Sequence, residues 1–239
     1  MDAGELWTDG VGVTGPHGPL LADVSLRARP GRLLAVTGSS GSGKTTLLSV
    51  LGGLLRPDSG SVAYGAEDVG TRDGEPRRGT ALVLQTYGLV PSLTAEENVA
   101  VALRARAVAP EDANTRARAA LDRTGVGDLA ERLVTELSGG QLQRVAVARA
   151  LAVQPDVLLA DEPTSELDEL NRDLVVAELR AEADRGAVVV VATHDPEVAD
   201  RCDDELHLVD GRDAGRPVRT VPTAEDGPEH VHDMFRRPQ

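Results

Sequence analysis

The segment Gly38-Ser39-Ser40-Gly41-Ser42-Gly43-Lys44-Thr45 decides the fold of this chain of 239 residues. It matches the pattern G-x-x-x-x-G-K-[ST], in which glycines let consecutive backbone N–H groups turn towards phosphate oxygens. Lys44 is the only lysine in the sequence. Its compact ammonium suits β- and γ-phosphates, and the Thr45 hydroxyl suits Mg²⁺. The segment predicts a nucleoside triphosphate site, with a glycine-rich turn before a helix as the structural alternative.

The sequence on either side favours the phosphate-loop interpretation. Residues 33–37 form an apolar run that predicts a short buried strand, and residues 46–51 open a helix. The N-terminal end of that helix would face the phosphates. The residues that we expect to contact the nucleotide here are Gly38, Ser39, Ser40, Gly41, Ser42, Gly43, Lys44, Thr45 and Thr46.

Composition limits the possible functions. The net charge of −14 and the pI of about 4.8 oppose non-specific nucleic-acid binding, which needs a basic face, so no nucleic-acid partner is expected. The amino end is acidic, unlike a secretory signal. The longest apolar run, residues 187–192, is far shorter than the ~20 residues of a membrane helix. A single cysteine, Cys202, excludes an internal disulfide, and the chain is interpreted as cytoplasmic.

The order of apolar runs predicts an α/β fold with an antiparallel β portion near the amino end. Predicted strands cover residues 20–26, 33–37, 61–64, 81–84, 157–160 and 187–192. Helical periodicity predicts a helical subdomain at about 88–150, with a capping box at Thr94 and Glu97 and a second helix starting at Pro110. Residues 65–79 predict an exposed loop. We expect one domain over residues 1–211 and a mobile tail over 212–239.

Two carboxylates end the predicted strand at 157–160. Asp161 could hold Mg²⁺ through water, and Glu162 could polarise a water molecule for attack on the γ-phosphate. Many strands end in an acidic pair, so the pair alone is a weak signal. Together with Lys44 in the same α/β unit it becomes a strong one.

A second anion site is predicted at Leu137-Ser138-Gly139-Gly140-Gln141. A serine and two glycines at the start of a helix suit an anion. Because one domain needs only one phosphate cradle, the second site suggests that it serves the nucleotide of another copy. A serine-capped helix with a flexible start is the structural alternative.

With these motifs the chain resembles the nucleotide-binding subunit of an ABC transporter over about residues 5–212. The matching motifs, in chain order, are the phosphate loop 38–45, Gln85, the signature 137–141, Asp161 and Glu162, the D-loop Ser165-Glu166-Leu167-Asp168, and His194. A helix-capping role for His194 is the structural alternative.

The resemblance implies two chains meeting head to tail, as a homodimer or with a sister subunit, around two ATP molecules. Each ATP would lie between one chain's phosphate loop and the other chain's Ser138, Gly139 and Gly140. Glu162 would be the general base, His194 would contact the γ-phosphate, and Gln85 would link Mg²⁺ and the attacking water to the membrane partner. The expected Mg²⁺ ligands are Thr45, Gln85 and Asp161; Gln141 and Asp168 complete the expected nucleotide contacts.

Residues 83–99 and 160–168 are similar to the macrolide-export and lipoprotein-release ATPases. That group implies an ATP hydrolase on the cytoplasmic membrane face that powers a separate permease by transport or mechanical movement. The apolar residues of 87–93 would form the permease docking surface. The alternatives are an importer ATPase, a soluble ABC ATPase of the translation or repair type, and a kinase or GTPase. The signature segment and the absence of a guanine-recognition motif exclude a kinase or GTPase.

One departure from the family concerns adenine. ABC subunits of this kind usually carry an aromatic residue near the amino end that stacks on the base. In the best register that position is Gly15, and no aromatic residue is near it in sequence. His17 or an arginine could substitute, or the base contact could be slight.

Overall fold

A computed structural model describes residues 4–70 and 76–215. Within these ranges the strands, in chain order, are β1 (Leu6–Gly15), β2 (Gly18–Ala28), β3 (Leu33–Thr37), β4 (Ser59–Tyr64), β5 (Glu67–Asp68), β6 (Thr80–Val83), β7 (Val157–Asp161), β8 (Val188–Thr193), β9 (Asp204–Val209) and β10 (Arg212–Asp213). The α-helices are α1 (Lys44–Leu51), α2 (Ala95–Arg104), α3 (Pro110–Arg123), α4 (Gly139–Ala152), α5 (Glu169–Asp184) and α6 (Pro196–Ala199). Short 3-10 turns occupy Gly127–Leu129 and Val134–Glu136.

The central sheet has the strand order β10-β9-β3-β8-β7-β6 and is parallel except for β10. Every residue of β3, β7 and β8 is buried, because α1 covers one face of the sheet and α4 and α5 cover the other. This burial on both faces explains why the three strands read as continuous apolar runs in the sequence. The carboxyl ends of β3, β7 and β8 carry the phosphate loop, the acidic pair and His194.

A smaller antiparallel sheet has the order β2-β1-β4-β5. Its apolar face and α1 share one core with the central sheet, which fixes the phosphate loop between the two sheets. The predicted strand at 20–26 extends in the structure to residues 18–28. The sequence did not predict β1, whose alternation is broken by register shifts after Thr8 and by the left-handed residue Gly10, φ 60°.

The helical subdomain has a core of its own, formed by α2, α3 and one face of α4. The capping box at Thr94 and Glu97 and the helix start at Pro110 are confirmed. Helix α4 belongs to both parts of the molecule. Its Val145 packs in the helical core, whereas Val147 packs against the central sheet.

Two boundaries differ from the sequence prediction. The predicted loop at 65–79 contains strand β5 and the buried Val69, which donates its N–H to Val62 O. The predicted tail, 212–239, begins inside the β9–β10 hairpin, where Arg212 pairs with Val209 and Asp213 pairs with Leu208. The rest of that tail, from 216 onwards, lies outside the described residues. No helix within the described ranges has the length and apolar character needed to cross a membrane.

The turn of the β9–β10 hairpin touches two other parts of the fold. Gly211 N–H donates to Ser42 O at 3.1 Å, and Gly211 O accepts from Ala22 N–H at 2.8 Å. A Cβ atom at Gly211 would lie 2.5 Å from Leu20 O, so only glycine permits this approach. The hairpin therefore supports the phosphate loop from outside.

Candidate active site

The phosphate loop connects β3 to α1 through glycines with positive φ. Gly38 has φ 146° and Gly43 has φ 104°. A Cβ atom at Gly38 would lie 2.4 Å from Leu208 O, and one at Gly43 would lie 2.7 Å from Leu20 O. The two glycines are therefore required both by the backbone conformation and by the close approach of neighbouring chain.

Lys44 folds back over this loop as a buried charge. Its Nζ donates to Gly38 O at 2.8 Å and to Ser39 O at 3.2 Å, and it lies 3.8 Å from Glu162 Oε1. The Ser42 hydroxyl is buried and has no hydrogen-bond partner in the structure. A buried polar group without a partner is unfavourable, so this hydroxyl lowers the stability of the loop.

Thr45 and Asp161 bring two hard oxygen atoms together. Thr45 Oγ1 donates to Asp161 Oδ2 at 2.7 Å. Burial raises the pKa of Asp161; the Thr45 hydrogen bond and the Lys44 charge oppose this effect, whereas the Glu162 charge adds to it. A buried carboxylate beside a hydroxyl is the oxygen-donor environment that Mg²⁺ prefers, and a cation there would offset the cost of burial.

Glu162 follows Asp161 with an unusual backbone conformation. Its φ of 50° lies in the left-handed region, which turns its side chain away from that of Asp161. Its N–H donates to Ala192 O at 2.9 Å, and its Oε1 lies 2.9 Å from His194 Nδ1. The strained backbone thus places the carboxylate between Lys44 and His194.

These groups line one cavity of about 510 Å³. Of the predicted residues, the cavity wall contains Ser39, Ser40, Gly41, Gly43, Lys44, Thr45, Thr46, Gln85, Asp161, Glu162 and His194. Two further residues line it: Leu20, which was not predicted, and Ser165, which was predicted only as part of the D-loop motif. Gly38 and Ser42 do not line the cavity and instead support the loop from behind.

The signature segment lies apart from that cavity. Ser138 and Gln141 form a capping box at the start of α4: Ser138 Oγ accepts from Gln141 N–H at 3.4 Å, and Gln141 Oε1 accepts from Ser138 N–H at 2.9 Å. A Cβ atom at Gly140 would lie 2.7 Å from Glu166 O, so this glycine also lets the D-loop approach. Asp168 caps α5 by accepting from Asn171 N–H at 2.9 Å.

The segment after Gln85 is only partly exposed. Tyr87 and Leu89 pack against the sheet core, as ordinary core residues would, while Val90 is 43% exposed. Arg149 of α4 anchors this segment by donating to Tyr87 O at 2.6 Å and to Gly88 O. Burial lowers the pKa of Arg149. Of the predicted docking surface at 87–93, only the exposed residues, such as Val90, therefore remain available for contact with a permease.

The comparison with known protein families decides the identity. A family model described as ABC transporter matches residues 21–165. The chain belongs to the ABC transporter family. An uncharacterised ABC transporter ATP-binding protein of Mycobacterium tuberculosis is 44% identical over 214 residues, which cover 87% of this chain and 62% of that protein. The chain thus spans less than two thirds of the length of this mycobacterial relative.

Relatives from the predicted group are among the ABC proteins that match. Lipoprotein-releasing system ATP-binding protein LolD 1 of Rhodopirellula baltica is 40% identical over 198 residues, covering 80% of this chain and 86% of LolD 1. Macrolide export ATP-binding/permease protein MacB of Salmonella choleraesuis is 38% identical over 213 residues, covering 87% of this chain and 33% of MacB. The predicted resemblance to the macrolide-export and lipoprotein-release group is confirmed.

The solved structures confirm the fold class. A dimeric, post-hydrolysis state of the ATP-binding cassette MJ0796 bound to ADP and Pi matches with a TM-score of 0.83 and 32% identity. The match covers 90% of this chain and 98% of MJ0796. The phosphate-loop core, the antiparallel β portion and the helical part of this ABC protein are therefore those expected from its motifs.

Sequence reasoning missed Gln143, two residues beyond the signature. Its side chain is buried, and Nε2 donates to Glu162 O at 2.6 Å. Gln143 shares a helix face with Ala146, Val147 and Ala150, and a polar residue on this otherwise apolar face was the available signal. Its partner is 19 positions away along the chain, a distance that no local pattern specifies.

Proposed function

We propose that this chain binds and hydrolyses ATP with Mg²⁺ as the nucleotide-binding subunit of an ABC transporter. One observation carries the proposal: Lys44, Thr45, Asp161, Glu162 and His194 line a single cavity at the carboxyl ends of three neighbouring strands. That arrangement provides a phosphate cradle, a cation position and a base in one place.

Substrate binding would use the donor groups of the phosphate loop. Its N–H groups and the Lys44 ammonium, which now donates to Gly38 O and Ser39 O, would bind the β- and γ-phosphates. Thr45 and Asp161, with Gln85 on the cavity wall, would hold Mg²⁺. When bound, Mg²⁺ would neutralise charge on the phosphate oxygens.

Hydrolysis would depend on Glu162 as general base. The carboxylate would take a proton from a water molecule while the oxygen of that water attacks the γ-phosphorus. The bond between the γ-phosphorus and the ADP oxygen would break in the same step. His194 would keep that carboxylate in place through Nδ1 and turn its exposed edge to the γ-phosphate, since the His194 side chain is 65% exposed.

The working unit would be a head-to-tail dimer, with a second copy or a sister subunit. The signature residues Ser138, Gly139 and Gly140 lie outside the wall of the chain's own cavity, which supports their use on the nucleotide of the other chain. Gln141 and Asp168 would contribute to this contact by capping the starts of α4 and α5 and so keeping them rigid. The dimeric, ADP-bound and Pi-bound state described for MJ0796 supports dimerisation.

The partner would be a membrane permease, and the chain would then lie on the inner face of the cell membrane. The similarity to LolD 1 and to MacB, which is named as an ATP-binding/permease protein, supports an export or mechanical role. An importer ATPase subunit and a soluble, non-transport ABC ATPase are the competing functions. No nucleic-acid partner is proposed, because the net charge is −14.

Phosphate release from purified protein tests the enzymatic part of this proposal. We expect release from ATP in the presence of Mg²⁺ and none when the metal is chelated. Purification of the tagged chain from membranes of the source cells tests the partner. A multi-spanning permease should accompany the chain, whereas a soluble partner alone would favour the non-transport alternative.

A further inference from the structure

The amide of Gln143 connects helix α4 to the segment that contains Glu162. The residue is 2% exposed and lies five positions after Ser138. Its Nε2 donates to Glu162 O at 2.6 Å and to Ser165 Oγ at 3.3 Å. Its Oε1 accepts from Glu166 N–H at 2.9 Å. One side chain thus holds the main chain on both sides of the turn that follows β7.

That turn needs support because Glu162 has a left-handed backbone. A non-glycine residue at φ 50° is strained and persists only where its surroundings fix it. Three donors converge on the Glu162 carbonyl oxygen: Gln143 Nε2 at 2.6 Å, Ser165 Oγ at 3.2 Å and Ser165 N–H at 3.4 Å. Gln143 makes the shortest of these contacts, and it is the one that comes from another element.

We infer that Gln143 is a positioning residue for catalysis. By fixing the main chain of Glu162 it keeps the carboxylate 2.9 Å from His194 Nδ1 and 3.8 Å from Lys44 Nζ. Gln143 lies on α4, the helix that begins at the signature segment. It would therefore also connect the proposed contact between the signature and the other chain's nucleotide to Glu162 of its own chain. The inference rests on the proposed function, since it assigns Gln143 a role in that reaction. Gln143 is not a catalytic residue, because it does not line the described cavity.

A purely structural role would leave a different trace. A buried amide that merely satisfies its hydrogen bonds would, when removed, lower the free energy of unfolding without a selective effect on turnover. A positioning role predicts a selective loss of kcat, because a displaced base affects the chemical step more than nucleotide binding.

The first experiment separates the two roles by steady-state kinetics. Gln143→Met removes both hydrogen-bonding groups while keeping the length of the side chain. We expect kcat for ATP to fall roughly 10- to 100-fold, with KM changed by less than about threefold. Normal kcat in Gln143→Met would overturn the inference.

Val147→Ala is the matched control on the same helix. Val147 is fully buried against the central sheet, so its truncation destabilises α4 while the hydrogen-bonding groups of Gln143 stay in place. We expect this control to lose as much unfolding free energy as Gln143→Met and to keep nearly normal kcat. If kcat falls equally in the control, the loss reflects stability and the positioning role is wrong.

A double variant tests whether Gln143 acts through Glu162. In the Glu162→Gln background the base is already absent, so adding Gln143→Met should reduce turnover little further. Multiplying losses would show that Gln143 acts on another group.

A crystal structure of Gln143→Met tests the inference without any turnover measurement. We expect the Glu162 backbone to leave the left-handed region and its carboxylate to move away from His194. An unmoved Glu162 would overturn the inference even if the native chain hydrolyses ATP. Lack of hydrolysis by the native chain with its permease would contradict the proposed function alone.

Discussion

His194 Nδ1 lies 2.9 Å from Glu162 Oε1, and the two side chains differ sharply in exposure. The Glu162 side chain is 10% exposed, whereas that of His194 is 65% exposed. The 2.9 Å separation is a hydrogen-bond distance, and it joins the imidazole ring to the carboxylate. The buried carboxylate is therefore held by a residue whose remaining surface faces the cavity, where a nucleotide would touch it.

Glu162→Gln should preserve ATP binding and slow hydrolysis by about 100- to 10,000-fold, because the amide has the same shape but cannot take a proton. The uncleaved nucleotide should then hold the two chains together. Size-exclusion chromatography with Mg²⁺ and ATP should show more dimer than for the native chain. Glu169→Gln, an exposed carboxylate at the start of α5, is the control and should behave as native. Undiminished turnover in Glu162→Gln would contradict the assignment of the base.

Lys44→Ala should weaken ATP binding by about 10- to 100-fold, because it removes the charged donor to the β- and γ-phosphates. Titration calorimetry measures the change directly. Lys44→Arg keeps the charge but replaces a compact ammonium with a planar fork, so it should recover only part of the affinity. Equal affinities in all three proteins would place the phosphates elsewhere.

The position of Leu20 leads to a prediction about recognition of the nucleotide's adenine or guanine. It is 43% exposed and lines the nucleotide cavity, on which no described aromatic side chain lies. Without aromatic stacking, worth ~1–3 kcal/mol, ATP and GTP should bind with affinities within about tenfold of each other. Leu20→Ala should weaken both nucleotides alike by about fivefold, through lost apolar contact.

The aromatic residue missing at Gly15 can be restored only with a second change. A Cβ atom at Gly15 would lie 3.0 Å from the Leu20 side chain, so the two positions share space. Gly15→Tyr combined with Leu20→Ala should therefore bind ATP more tightly than Leu20→Ala alone. A hundredfold preference for ATP in the native chain would show that another residue recognises adenine.

Val90→Asp should leave the isolated chain folded and able to bind ATP, because the side chain is 43% exposed. If the permease docks there, the variant should lose co-purification with it and lose stimulation of hydrolysis by it. Val209→Asp is the control, since Val209 is 48% exposed on β9, across the central sheet from β6. Leu89→Asp is unsuitable because Leu89 packs against two cores. An intact complex with Val90→Asp would move the docking surface elsewhere.

Asp203 makes the stability of the fold depend on pH. Burial acts to raise its pKa, but hydrogen bonds from Arg180 and Leu33 N–H outweigh burial and hold the pKa of Asp203 below its ordinary value. A pKa lowered by folding stabilises the protein above the unfolded value of about 3.9, and the contribution is lost as pH falls through the lower folded value.

Asp203→Asn should therefore lower the urea midpoint at neutral pH, and the difference from the native chain should shrink below about pH 4. Asp184→Asn, an exposed carboxylate at the end of α5, should show no comparable effect. A constant difference across the pH range would assign the effect of Asp203 to packing instead of charge.

The sequence was sufficient for the parts of the site that depend on local motifs. The phosphate loop, the acidic pair and the signature each occupy consecutive positions, and each sits where a strand ends or a helix begins. The continuous apolar runs next to these motifs also predicted the buried strands β3, β7 and β8. Local order along the chain therefore specifies which groups meet at the carboxyl edge of the sheet.

The remaining features depend on contacts between distant parts of the chain. Strand β1 contains Asp9-Gly10, which reads as a turn, and it forms because β2 and β4 pair with it on both sides. The burial of Leu89 and the exposure of Val90 follow from how α4 holds the intervening loop, which no local pattern records. The hydrogen bond from Gln143 to Glu162 likewise depends on a contact between distant parts of the chain.

The hairpin turn at Gly211 has a practical consequence for anyone who shortens this protein. A chain cut at 211, the boundary suggested by composition, would keep every motif residue and lose the strand that holds the turn against Ser42. Such a truncation would alter nucleotide affinity while leaving the motifs untouched, so its effect would be mistaken for a weak phosphate loop. Shortened versions should retain the hairpin through Gly215.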